Sequence, residues 1–259
     1  MLDVPRSVRL AAWGSAVLRA EVPVAAAVKA VTRDDEPHDV GGDASPTGAA
    51  DLASLLSGLP GRAASLRVVL PVPGDVLGLP GPAAFNVDAL DAGEGVLTDP
   101  TGTEPALGLV PMVTEFGSEW EPGAMVTWHV HEVAPRRVID WGSLGEAERA
   151  LRLALTQATE ALATLDVARW REDAADRIAA VRDGGLPRDV MPPTSDQHAV
   201  RVLATAARVR AIVALAAEDD GATISGWEAT QRMQALIDVD GVARRAMAAA
   251  VDTTLIPAR

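Results

Sequence analysis

The pattern of apolar residues changes from strand-like to helical at about Asp140, and this change limits the folds open to the chain. Before this point, short apolar runs are separated by turns rich in proline and glycine. After it, apolar residues recur at helical spacing. With 48% hydrophobic residues in 259, the chain can bury a substantial core. We therefore predict an α+β protein with N-terminal helices, a small, mostly antiparallel sheet between Ser65 and Ile139, and four or five C-terminal helices.

Two regions follow from this pattern, residues 1–142 and a helical region over 143–259 that we expect to pack on the first. Residues 5–32 predict two helices, the second starting after Pro23. Residues 32–48 are acidic, contain Gly and Pro and lack apolar periodicity, which predicts a flexible linker. Within it, Asp34–Asp39 places four carboxylates near His38. Such a run is typical of a solvated loop, and it is also able to bind a divalent cation or a basic partner.

The remaining elements are predicted from periodicity and from their flanking residues. Strand composition marks residues 65–71, 85–90, 95–98, 107–116 and 124–133. Helical spacing marks residues 49–56, 143–165, 171–182, 196–217, 225–237 and 242–251. Ser143 and Glu146 have the spacing of a capping box at the start of a helix. Pro111 lies inside a predicted strand, which indicates a sheet edge or a bulge.

Composition excludes several classes of function. The net charge of −13 disfavours nucleic acid and anionic membranes as partners. Because there is no cysteine, disulfides, thiolate nucleophiles and iron–sulfur clusters are excluded. Lys29 is the single lysine and lacks the glycines of a phosphate-binding loop. No secretory signal or transmembrane run is apparent, so we expect a soluble cytoplasmic protein.

A His-x-His pair is the sharpest local signal. Gly123, followed by five residues and then by His129 and His131, resembles the opening of the first cupin motif. Residues two apart on a strand point to the same face, so both imidazoles are able to bind one metal ion. Glu115, on a neighbouring predicted strand, is a candidate third ligand. The glutamate ligand that cupins place a few residues after the pair is absent here.

The alternation of the same strand supports a second interpretation. One face carries Ala124, Val126, Trp128 and Val130, and it is the better core face. The histidines would then be ordinary, half-exposed residues of the opposite, wetter face.

Trp120 lies between Glu119 and Glu121 in a predicted connection between two strands. A tryptophan flanked by acids on a loop suits contact with a protein partner, since tryptophans often anchor interfaces. Alternatively, the side chain folds back onto the sheet, because tryptophan is usually well buried.

Two phrases carry a family resemblance, Leu70–Asp75 and Thr114–Gly123. Together with abundant alanine and with arginine in place of lysine, they resemble an uncharacterised family of actinobacterial-type proteins. The resemblance implies no known chemistry.

We find no catalytic motif, so an enzymatic role is not indicated. The first interpretation is a non-enzymatic cytoplasmic interaction or regulatory protein, with a partner surface near Trp120. The alternative is a metal-dependent or small-molecule-binding protein that uses His129 and His131. No cofactor is expected other than the divalent metal of that alternative.

Overall fold

The structure is a computed structural model that describes residues 2–42, 44, 48–118, 120–134, 143–164, 181, 183–218 and 226–252. The described residues of Val4–Asp140 and Asp189–Ser195 form one compact unit, here the N-terminal unit. Those of Met1–Asp3, Trp141–Arg188 and Asp196–Thr253 form the C-terminal unit.

A five-stranded sheet is the centre of the N-terminal unit as described. Its strands are β1 (Asp39–Gly41), β2 (Ala63–Val69), β3 (Gly95–Pro100), β4 (Ala106–Ser118) and β5 (Glu121–Val133). They lie in the order β1-β5-β4-β3-β2, and every neighbouring pair is antiparallel except the parallel pair of β1 and β5. The helices of this unit are α1 (Arg6–Leu18), α2 (Val24–Thr32), α3 (Leu52–Gly58) and α4 (Ala83–Ala92). The predicted α+β class, with N-terminal helices before a mostly antiparallel sheet, is confirmed.

The long hairpin of β4 and β5 pairs thirteen residues on each strand, from Ala106 opposite Val133 to Ser118 opposite Glu121. Strand β3 pairs with β4 only at Leu109 and Gly108. Pro111 therefore lies just past the last β3 pair, where β4 has become a free edge and an N–H group is not needed.

The two faces of the sheet are covered by different helices. Helix α1 covers the face that carries Leu66 and Trp128, and Ser15 Oγ exchanges hydrogen bonds of 3.2 Å with the backbone N and O of Leu66. Helix α4 covers the opposite face, which also carries the two histidines of β5. There the buried side chains are Val69, Phe85, Ala89, Leu97, Ala106, Val110 and Val133. The prediction that Ala124, Val126, Trp128 and Val130 form the core face of β5 is confirmed, because all four are buried.

Helix α4 replaces a predicted strand over 85–90, so that prediction is wrong. Pro82 precedes the first turn, and Gly93 ends the helix in the left-handed conformation, with φ of 69°. These are typical helix boundaries. Phe85 and Ala89, four residues apart, are the fully buried residues of the helix and supply its apolar stripe.

Residues 33–42 include strand β1 and pack around a buried histidine, unlike the solvated loop expected for Asp34–Asp39. His38 is 2% exposed. Trp128 Nε1 donates to His38 Nδ1 at 3.1 Å, and because an indole N–H only donates, the proton of the neutral ring is on Nε2. Nε2 donates to Asp35 Oδ2 at 3.1 Å, and Arg6 donates to both oxygens of Asp35. Since both ring nitrogens are occupied, His38 is not a metal ligand here.

The C-terminal unit as described contains three helices, α5 (Leu144–Thr164), α6 (Gln197–Glu218) and α7 (Gly226–Asp252). The predicted capping box is confirmed: Ser143 N donates to Glu146 Oε2 at 2.6 Å, and Glu146 N donates to Ser143 Oγ at 3.3 Å. Helix α7 is continuous through Gly241, so the prediction of two helices is wrong there. The predicted helix over 171–182, apart from Val181, and the predicted cap at Ser225 lie outside the described residues.

Among the described residues, no helix combines the length and the apolar character needed to cross a lipid bilayer.

Gly108→Ala tests the contact between α4 and the sheet. A Cβ at Gly108 would lie 2.5 Å and 2.6 Å from ring atoms of Phe85 and 2.8 Å from Val133 Cγ1. We expect the substitution to lower the free energy of unfolding by about 1–3 kcal/mol, because the buried ring has to move. The measurement is urea unfolding followed by tryptophan fluorescence. The control is Gly41→Ala, where the added Cβ would meet Thr127 at an ordinary 3.5 Å, and equal effects at both glycines would contradict this view of the packing.

His38 gives the fold a pH dependence. Burial lowers the pKa of His38 below its ordinary value of 6.5, although the hydrogen bond to Asp35 opposes this change. The unfolded chain therefore binds more protons than the folded protein as pH falls through about 6.5. We expect the stability present above that pH to be lost progressively below it.

Urea unfolding at pH 7.5, 6.5 and 5.5 measures this loss. His38→Asn, which keeps an acceptor for Trp128 but does not titrate, should show a shallower decline. His198→Ala, which removes a histidine of α6, should retain the slope. A decline of the same steepness in wild type and His38→Asn would refute the assignment.

Candidate metal centre

His129 and His131 lie two residues apart on β5 and point to the face covered by α4. Their ladder partners on β4 are Val110 and Gly108. The side chain of His129 is 42% exposed and that of His131 is 18% exposed, so the pair is within reach of solvent.

Gly108 and Phe85 determine where the ring of His131 lies. Because Gly108 has no side chain, the buried ring of Phe85 comes close to the β4 backbone beside His131. The rings of Phe85 and His131 meet edge to face, with centroids 5.8 Å apart and an interplanar angle of 69°. One helical turn after Phe85, Asp88 lies on the same side of α4 and reaches the histidines.

The three side chains form one compact donor set. Asp88 Oδ2 lies 3.0 Å from His131 Nε2 and 3.8 Å from His129 Nδ1. One ligand atom from each residue lies within 4.8 Å of the other two. Tetrahedral ligands with bonds of 2.0–2.1 Å are about 3.3–3.4 Å apart, so small side-chain rotations would bring the three atoms onto one ion.

His131 Nε2 is the buried atom that this arrangement leaves unsatisfied. It has no hydrogen-bond partner of acceptable geometry in the described part of the chain, although Asp88 Oδ2 is 3.0 Å away. A buried ring nitrogen without a partner is unfavourable. A metal ion held between Asp88 and the two histidines would satisfy it, so the residues present fit such an ion.

Glu115, the third ligand expected from the sequence, is not brought to this centre. Glu115 pairs with Ala124, which belongs to the Trp128 face of β5, opposite the histidines. Ala124 is five residues from His129, about 17 Å along the strand. The carboxylate comes instead from Asp88, which sequence reasoning missed because its segment was interpreted as a strand. The Pro82 and Gly93 boundaries were the available signal for the helix.

Two of the predicted partner residues, Trp120 and Glu121, lie at the tip of the hairpin, away from the two histidines. Trp120 is 93% exposed and does not fold back onto the sheet. Ser118 Oγ accepts from the backbone N–H groups of Trp120 and Glu121, both at 3.3 Å, which holds the turn. Glu121 is exposed at the start of β5, and Glu119 lies outside the described residues.

The chain is similar to proteins of mycobacteria. It is 37% identical to uncharacterized protein Rv1486c of Mycobacterium tuberculosis over 167 residues, which cover 59% of this chain and 56% of that protein. It is 32% identical to uncharacterized protein ML1804 of Mycobacterium leprae over 207 residues, or 74% of this chain and 68% of the relative. For uncharacterized protein MAV321 of Mycobacterium avium, the identity is 34% over 62% of this chain and 55% of the relative.

The chain thus aligns with little more than half the length of two of these relatives, and none of their names states an activity. No solved structure matches the chain. Residues 7–141 match the N-terminal domain of the Rv1486c-like proteins, and residues 145–248 match their C-terminal domain. The chain therefore belongs to the Rv1486c-like family, an actinobacterial family whose mycobacterial relatives carry no assigned function.

Proposed function

We propose that this protein binds a divalent transition-metal ion through His129, His131 and Asp88. The observation that carries the proposal is the position of Asp88. A carboxylate from a helix meets two histidines of a strand, and all three donor atoms lie within 4.8 Å of one another.

The donor chemistry favours a first-row metal over calcium or magnesium. Imidazole nitrogen suits zinc, iron, nickel and copper, whereas Ca²⁺ and Mg²⁺ prefer oxygen ligands. Two histidines and one carboxylate also leave at least one coordination position for water or a small molecule. Closed structural zinc sites use four protein ligands, so this set is typical of an open site.

The same geometry has a simpler explanation, in which Asp88 pairs with a protonated His131. At half-exposed positions such a pair contributes little to stability. The two explanations predict different results. An ion pair weakens with salt and takes up no metal, whereas a metal centre binds the ion in a fixed ratio and releases protons as it does so.

A cytoplasmic location and a protein partner stay predictions, and the metal centre does not depend on either. The exposed Trp120 supports an interaction role, which is a separate property of the hairpin.

Zinc titration of chelator-treated, untagged protein by calorimetry tests the centre. We expect one ion per chain for the wild type and no saturable binding for the His129→Ala/His131→Ala double variant. For Asp88→Asn, we expect affinity to fall by at least about tenfold, because even loss of an outer-shell partner costs about that much. Elemental analysis of freshly purified protein would identify the metal acquired during expression.

The matched control is His198→Ala. His198 also contacts a carboxylate, with Nε2 3.1 Å from Glu148 Oε2, but it has no second histidine beside it. It should bind zinc as the wild type does. If the wild type takes up no metal, or if His198→Ala loses it as fully as the double variant, the proposal is wrong.

A further inference from the structure

The outer half of the β4–β5 hairpin extends past the rest of the sheet. This arm consists of Met112–Ser118 and Trp120–Met125. Strand β3 stops pairing with β4 at Leu109, and β1 pairs with β5 only from Thr127 onward. Among the described residues, a backbone hydrogen bond from Glu36 to Ala124 at 2.9 Å connects the arm to the loop after α2.

Apolar side chains project from the arm into solvent. Those exposed are Met112, Val113, Phe116, Trp120 and Met125. Met112, Phe116 and Met125 lie on the hairpin face that carries the histidines, and Val113 lies on the opposite face. Several exposed apolar side chains on one face mark a site of interaction. The indole of Trp120, at the tip, is the largest exposed group among them.

The arm is held in shape, although a two-stranded ribbon is marginally stable in water. The ring of Phe116 covers Gly123 on the facing strand, so closely that a Cβ at Gly123 would lie 2.5 Å from it. An aromatic ring that covers a glycine on the facing strand stabilises the pairing of the two strands and helps to fix their register. A preformed arm loses little conformational entropy on binding, which favours affinity.

Charge identifies the kind of partner. From Val68 to Pro135 the sequence contains no lysine or arginine and ten acidic residues. Glu115 and Glu121 lie on the arm, and both are exposed. Beside the arm lies a shallow cavity of about 460 Å³ whose lining includes Asp34, Glu115 and Phe116.

These features together fit a guanidinium group. Arginine pairs with a carboxylate through two parallel hydrogen bonds and stacks on an aromatic face. The exposed Glu115 offers a carboxylate, and Trp120 offers an accessible ring beside Glu121. A second copy of this arm would bring like charges together, and nucleic acid or an anionic membrane would be repelled for the same reason.

We infer that the arm is a docking surface for an arginine-rich, partly apolar segment of a partner protein. Trp120 acts as the anchor, and the carboxylates of Glu115 and Glu121 select the positive charge. This inference goes beyond the metal centre, since none of the three metal-binding residues belongs to the arm.

The test uses a fluorescent peptide of alternating arginine and leucine, with an alternating glutamate and leucine peptide as the reversed-charge probe. Anisotropy titrations of the full chain at 150 mM salt should show binding of the arginine peptide alone. We expect Trp120→Ala, and separately Glu115→Gln/Glu121→Gln, to weaken it by about tenfold or more. Leu153→Ala removes another exposed apolar side chain and Glu132→Gln another acid of β5, and both should bind as the wild type does.

Unfolding midpoints of the arm variants should match the wild type, because their side chains are exposed. Equal weakening by Glu132→Gln would show attraction to net charge alone and would overturn the inference. Binding of both peptides, or of neither, would also overturn it. A concentration-dependent dimer in sedimentation that Trp120→Ala abolishes would identify a second copy as the occupant and refute the basic partner. The His129→Ala/His131→Ala variant should bind the arginine peptide as the wild type does. This outcome would show that docking at the arm does not depend on the metal centre.

Discussion

The thirteen-residue ladder between β4 and β5 is the interaction on which the other features of the N-terminal unit depend. It is anchored on one side by Trp128, which is fully buried and donates its indole N–H to His38. Loss of a buried tryptophan costs about 3–5 kcal/mol, so the register of β5 is strongly specified. A slip of one residue would move the histidines to the face covered by α1 and Trp128 to the face covered by α4. The register thus holds the face that carries His129 and His131 in place.

On the face of the β4–β5 ladder that α4 covers, the absence of a side chain at Gly108 is as important as the side chains that pack there. Gly108 lets the ring of Phe85 reach the sheet, and Asp88 follows one turn later on the same helix. The donor set is therefore a consequence of how α4 packs. Burial of Phe85 places a carboxylate beside two imidazoles, and the ring of Phe85 also meets His131 edge to face. The contacts that pack α4 on the sheet therefore also bring the three donor side chains together.

Local sequence patterns were sufficient to predict the features that depend on residues close together in the sequence. Alternation along β5 identified the core face and the histidine pair, and the Ser143 capping box marked the start of α5. Asp88 and the burial of His38 could not be predicted in this way, because each depends on contacts between segments distant in sequence. Gly241 interrupts the helical pattern of α7, yet packing of neighbouring residues keeps that helix continuous.

The hairpin then places two chemically different surfaces on one rigid element. The two histidines lie where β5 has further support, since β1 pairs with β5 up to His129 and β3 pairs with β4 at Gly108, the partner of His131, whereas the arm begins where β1 and β3 end. Precise ligand geometry requires the support of packed neighbours, and an accessible apolar arm requires their absence. Ala124, at the base of the arm, is about 17 Å along the strand from His129, too far for direct electrostatic coupling through screened solvent. Any coupling between a metal ion and a docked partner would therefore pass through the backbone, either along the pairing of β4 with β5 or through the Glu36–Ala124 hydrogen bond and the segment of His38 that leads to β1.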